Sequence, residues 1–230
     1  MKLTSVVSAL AVASVVSATP TYSPPKTPSA TESNPWVGKD YFVNPTYAEK
    51  LKETIWTFLK KGDLLNAART RTVQKTSTFV WVTTVAGLTN IDDAVKQARK
   101  VQSWTRKPQI VPLVLYNLPS RDCSAGESAG EFQIDQNGLE LYKKKFVDAY
   151  AKKVKAAKDL TFAIILEPDS LGNLVTNMGV PLCAEAAPAY VEGIAYAIAK
   201  LQAPNIALYI DAAHGGWLGW NDNLPLGKHL

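Results

Sequence analysis

Three short apolar runs, rich in β-branched residues, recur along this chain, and each runs out into an acid. Ile-Val-Pro-Leu-Val-Leu-Tyr (110–116) leads to Arg121-Asp122-Cys123, Phe-Ala-Ile-Ile-Leu (162–166) to Glu167-Pro168-Asp169-Ser170, and Ile-Ala-Leu-Tyr-Ile (206–210) to Asp211. Stretches with helical spacing separate them. An alternating strand–helix order makes the strands parallel, so their C-terminal ends share one face of the sheet. Acids that leave successive strand ends therefore converge, as acid/base chemistry on a bound ligand requires.

The rest of the pattern fits this frame. Asn44-Pro45 reads as a helix cap with proline in the first turn, and Tyr47, Leu51, Ile55, Phe58 and Leu59 follow at helical spacing until Gly62. Residues 78–84 read as a strand. Asn90 is expected to cap a second helix, with Asp92 and Asp93 in its first turn. Leu139, Tyr142, Phe146, Tyr150 and Val154 mark a third helix, and a fourth spans about 185–201. The expected fold is α/β: a partial, distorted β/α barrel of about four parallel strands with helices. Four strands do not close a barrel that commonly needs about eight. After Trp220 the chain has no helical or strand period, so residues 221–230 are expected to be an atypical tail on a domain of 36–220.

The chain begins with a secretory signature. Lys2 is followed by a short apolar stretch, Leu3 to Val16, and by Val16-Ser17-Ala18 as a small-residue cleavage site, giving a signal peptide of 1–18. Residues 19–35 are rich in Pro, Ser and Thr and read as a linker. Nothing later is apolar enough to span a membrane. In an exported protein Cys123 and Cys183 could form one bridge or remain as two buried thiols. The net charge is +5. The lysines, including Lys143-Lys144-Lys145 and Lys152-Lys153, are spread among apolar residues. They read as solvated helix surface rather than a nucleic-acid patch.

Several chemistries are excluded. The chain has no Cys-x-x-Cys, His-Glu-x-x-His, Gly-x-x-x-x-Gly-Lys or Gly-x-Ser-x-Gly. With two histidines, a histidine-rich metal site is not expected, and no cofactor is. Asp122 could carry chemistry or only bond a backbone amide. Asp169 could be a proton donor, its pKa raised by apolar surroundings and nearby carboxylates, or a cap for a helix starting at Ser170. Trp217 and Trp220 flank Gly219 and follow Gly215-Gly216. A ligand platform is favoured over core packing there, since indole faces stack on the apolar faces of sugar rings. His214 could bond a ligand or a buried carbonyl.

At these segments the chain resembles the family 6 glycoside hydrolases, secreted fungal cellobiohydrolases and endoglucanases acting on β-1,4-glucan. The resemblance rests on Phe79-Val80-Trp81, on residues 114–123 (Val-Leu-Tyr-Asn-Leu-Pro-Ser-Arg-Asp-Cys), on 164–172 (Ile-Ile-Leu-Glu-Pro-Asp-Ser-Leu-Gly) and on 209–220. It implies inverting hydrolysis with Asp169 as general acid and Asp122 as supporting carboxylate. Tyr116 would lie beside the sugar at the point of cleavage, and Ser128 in a mobile loop near the catalytic water. The likeness further implies that Trp81, His214, Trp217 and Trp220 bind glucosyl units, that Asp211 is a buried acid nearby, and that Cys123 and Cys183 are bridged. An extracellular monomer acting on cellulose and cello-oligosaccharides is expected, without nucleic-acid or membrane partners. Thr83 departs from an acidic cleft position of the family, and Glu127 from a small one. The family's later half, with its proposed base, has no counterpart here. Hydrolysis is therefore expected to be weak or absent, and the alternative is a non-hydrolytic carbohydrate-binding protein that uses the Trp-lined half-cleft.

Overall fold

The computed structural model describes residues 34–227, so the signal, most of the linker and the last three residues lie outside the described residues. Five strands form one all-parallel sheet: β1 (Asp40–Tyr41), β2 (Val80–Val82), β3 (Gln109–Leu115), β4 (Thr161–Leu166) and β5 (Ile206–Ile210). The order is β1-β3-β4-β5, and β2 also pairs with β3. The sheet does not close among the described residues, and β5 is paired on one edge only.

β1 and β2 share one edge of β3. Asp40 and Tyr41 register with Gln109 and Ile110, whereas Val80, Trp81 and Val82 register with Leu113, Val114 and Leu115. Pro112 sits at the junction. The carbonyl of Ile110 accepts from Phe42 N and the amide of Tyr116 donates to Val82 O, so even-numbered residues of β3 bond toward that edge. Pro112 shares their parity, and its missing N–H points where one partner strand has ended and the next has begun. A proline is thereby tolerated in a central strand.

Parity also separates the faces. Val111, Leu113 and Leu115 of β3 and Phe162, Ile164 and Leu166 of β4 enter one buried core with the helices. Those helices are α3 (Thr89–Thr105), a rod over 138–156, and α7 (Pro181–Leu201). The rod consists of α4 (Gly138–Leu141), a π-helical stretch (Tyr142–Val147) and α5 (Asp148–Ala156). The opposite face carries Ile165 and Tyr209, and with Trp36, Phe79 and Asp211 they line a cavity of about 320 Å³.

The expected strand of 78–84 shortens to three residues. Asn44 caps α1 (Pro45–Lys60) as expected, accepting from Thr46 N and Tyr47 N. Asn90 caps nothing: α3 already begins at Thr89, and the Asn90 amide instead donates to Trp81 O at 3.3 Å. α2 (Leu64–Gln74), capped by Asp63, was not expected, because its Leu64 and Leu65 are exposed and only Ala67 is buried, which leaves no apolar stripe. Lys143 is not solvated surface. It is buried, with Nζ 2.9 Å from Glu140 and 2.6 Å from Glu192. The tail is not wholly irregular, since Leu224–Gly227 (α8) forms one helical turn.

Candidate active site

The acids lie where β3, β4 and β5 end. Five of the seven non-glycine residues with positive φ among the described residues belong to these exits: Ser120, Asp122, Glu167, Asp169 and Ala213. Left-handed backbone at non-glycine residues is strained and collects at functional sites.

The β3 exit is held from several sides. Ser120 N donates to Phe132 O at 2.9 Å, and the hydroxyl of buried Tyr190 donates to Ser120 O at 2.8 Å. Cys123 is bridged to Cys183, at the start of α7, which decides between bridge and free thiols. Arg121 forms no ion pair among the described residues. Its buried guanidinium donates to the carbonyls of Ser128, Thr83 and Tyr116 and stacks 4.3 Å from the Tyr116 ring centroid. A charge taken out of water is tolerated when its donors are filled. Asp122 then points its carboxylate at the Ser128 amide, 2.7 Å away. Ser128 thus meets the site through its backbone.

Asp169 leaves β4 with φ 67° and precedes α6 (Ser170–Thr176), but its side chain caps nothing. Its amide donates to Asp211 Oδ2 at 2.9 Å, and Ala213 N donates to the same oxygen at 3.1 Å. Asp211 therefore links the β5 exit to the β4 exit, and among the described residues the Asp169 carboxyl accepts no hydrogen bond. Asp169 is an exposed residue; desolvation of its carboxyl raises the pKa, the negative charges of Asp211 and Asp122 raise it further, and His214 opposes them. Tyr116 is buried beside the acids. Desolvation pushes its phenol up to about 12, with Arg121 pulling the other way.

The aromatic residues divide. Trp81 is 49% exposed and packs edge-on against Tyr116 at 5.5 Å, an accessible indole at the rim. Trp220 is 63% exposed, with its ring nitrogen donating to Gly216 O. Trp217 is half-buried. It rests over Gly172, where an added Cβ would stand 3.0 Å from its ring, and donates to Thr176 Oγ1 at 2.9 Å. His214 is exposed; its Nδ1 accepts from Gly216 N at 3.1 Å. Asp122, Asp169, Asp211, Tyr116 and Trp81 thus come together on one face.

Sequence reasoning missed two residues. Glu167 is 1% exposed and its carboxyl is taken up by the Asn117 and Leu118 amides of the β3 exit. The acid next to a proline at a strand end was the available signal. Trp36 donates to the Tyr209 hydroxyl at 2.8 Å, a contact across 173 positions that no local pattern reveals.

The model of glycosyl hydrolases family 6 matches residues 36–230. The chain is 60% identical over 228 residues to 1,4-beta-D-glucan cellobiohydrolase CEL6B of Podospora anserina, covering 98% of this chain and 54% of that protein. It is 50% identical over 192 residues to Endoglucanase-6B of Humicola insolens, covering 83% of this chain and 55% of that one. The crystal structure of CcCel6C, a glycoside hydrolase family 6 enzyme from Coprinopsis cinerea, superposes with a TM-score of 0.81 at 52% identity, covering 86% of this chain and 53% of that one. The chain spans about half the length of the curated relatives it matches. A family match over most of its residues, two relatives at half identity or more and a shared fold together identify the chain as a member of glycosyl hydrolases family 6.

Proposed function

We propose that the site cleaves β-1,4-glucosidic bonds of cellulose and cello-oligosaccharides with inversion, Asp169 protonating the leaving oxygen. The observation that carries this reading is the Asp169 carboxyl, free of hydrogen bonds among the described residues, with its pKa raised by desolvation and by Asp211 and Asp122. A raised pKa favours the protonated form, which is the form a general acid needs. Asp122 is the supporting carboxylate, and its orientation toward the Ser128 amide suits a role in organising water. Tyr116 borders the scissile sugar, and Trp81, Trp217, Trp220 and His214 offer surfaces to neighbouring glucosyl units. Asp211 holds the Asp169 loop. Related structures were solved with p-nitrophenyl β-D-cellotrioside (CcCel6A) and with glucose and cellotetraose (cellobiohydrolase II of Humicola insolens), which supports a β-glucan substrate. The protein acts outside the cell, as a monomer.

Inversion also needs a base across the sugar ring. We assign no residue of this chain to that role. The experiment is hydrolysis of cellohexaose by the secreted chain, with the product anomer followed by proton NMR. Release of the α-anomer is expected. Release of the β-anomer, or oligosaccharide affinity with no bond cleavage, would overturn the reading.

A separate expectation concerns pH. Asp122→Asn removes a negative charge that helps keep the Asp169 proton in place, so the Asp169 pKa falls. The alkaline limb of the kcat/KM profile, where the acid loses its proton, is expected to move to lower pH. An unmoved limb would show that Asp122 does not act on Asp169 through charge.

A further inference from the structure

Beneath the acids lies a buried polar cluster that the reaction above does not use. Glu167 accepts from Asn117 N at 2.9 and 3.1 Å through its two oxygens, and from Leu118 N at 3.2 Å. Its own amide donates to Leu115 O at 2.8 Å, and its carbonyl accepts from Ser170 N at 3.2 Å. One residue therefore ties the end of β3 to the end of β4. The first segment leads to Asp122 and the second to Asp169, two positions further on. Glu167 itself takes φ 44°, a costly conformation for a residue with a side chain.

The groups beneath are unusual for a core. Tyr142 and Tyr150 are fully buried, and their hydroxyls, with Asn117 Oδ1, have no hydrogen-bond partner among the described residues. Both tyrosines come from the helical rod, and Tyr142 opens its π-wound stretch. Single π turns inside helices recur near functional sites. Desolvation pushes the Glu167 carboxyl up to about 7, against the pull of the Asn117 and Leu118 amides and of the Arg121 charge. A buried acid is costly where an amide would be less so. A glutamine here, however, would turn an NH₂ group toward backbone N–H donors. Only a carboxyl offers acceptors on both oxygens.

We propose that Glu167 is a positioning residue, which holds the two acid-bearing exits so that the Asp169 carboxyl faces Asp122 and Asp211. The proposal rests on Asp169 being the proton donor. Asp169 is faced by Asp211 and His214 from the β5 exit and by Asp122 from the β3 exit. Loosening the tie lets the β3 and β4 exits drift apart, and the charges that keep the Asp169 proton in place weaken with distance.

The test is Glu167→Gln in the full chain. The Asp169 carboxyl is titrated by carbon-13 NMR, its signal identified by its loss in Asp169→Asn, and folding is followed by circular dichroism. The fold is expected to persist while the Asp169 midpoint drops toward the ordinary carboxylate range. Where hydrolysis is measurable, kcat is expected to fall about 10- to 100-fold with KM little changed, the signature of a small misplacement. If the glutamine variant does not fold, Glu167→Asp carries the same titration on a shorter arm. An unmoved Asp169 midpoint in a folded variant, or failure of both variants to fold, would overturn the proposal and leave Glu167 a purely structural residue. Absence of hydrolysis by the unaltered chain would count against the proposed reaction and not against this role, because the titration needs no turnover.

Discussion

Asp169→Asn is expected to slow hydrolysis of cellohexaose by roughly 10²–10⁴-fold, the usual contribution of a positioned acid. The alkoxide of a sugar is a poor leaving group, so the bond breaks only as a proton arrives. Asparagine keeps the shape and the left-handed backbone at this position, which Asn tolerates, but has no such proton to give. An aryl cellobioside with an electron-poor phenol leaves without protonation, so its hydrolysis is expected to fall much less. Oligosaccharide affinity, measured by calorimetry, is expected to change little, since the side chain bonds nothing among the described residues. An equal loss on both substrates would instead mean that the variant disturbs the loop, and that Asp169 acts by position.

Removing the bridge has the second large effect. Cys123 and Cys183 are 60 positions apart with Cα atoms 5.0 Å from each other. Closing a loop of that size restricts the unfolded chain by about 4 kcal/mol on the chain-entropy estimate, within the usual range of 2–5 kcal/mol for a native disulfide. Replacing both cysteines with serine is expected to lower the urea midpoint accordingly. Catalysis is expected to suffer too, because Cys123 neighbours Asp122, whose φ of 56° is held by the same loop. A midpoint unchanged by the double substitution would place that restraint in the Ser120 and Arg121 contacts instead.

Much of this site was readable before any coordinates. β-branched runs mark strands, alternation with helices makes the strands parallel, and parallel strands put their ends together; Asp122, Asp169 and Asp211 follow from those steps alone. β1 was not readable, since two residues carry no period and owe their strand form to the edge of β3. Nor was the fate of Arg121, whose buried guanidinium donates to the carbonyls of Thr83, Tyr116 and Ser128.

Local chemistry thus determined where the strands lie and which acids stand at their ends, because hydrophobic period and strand-end placement are properties of neighbouring residues. Which acid stays free was decided only by the tertiary structure. Glu167 and Asp169 stand two positions apart at the same strand end, yet one is buried against backbone amides beyond another strand and the other is exposed. That difference depends on contacts across about fifty residues, where burial and charge, not local sequence, set what each carboxyl can do.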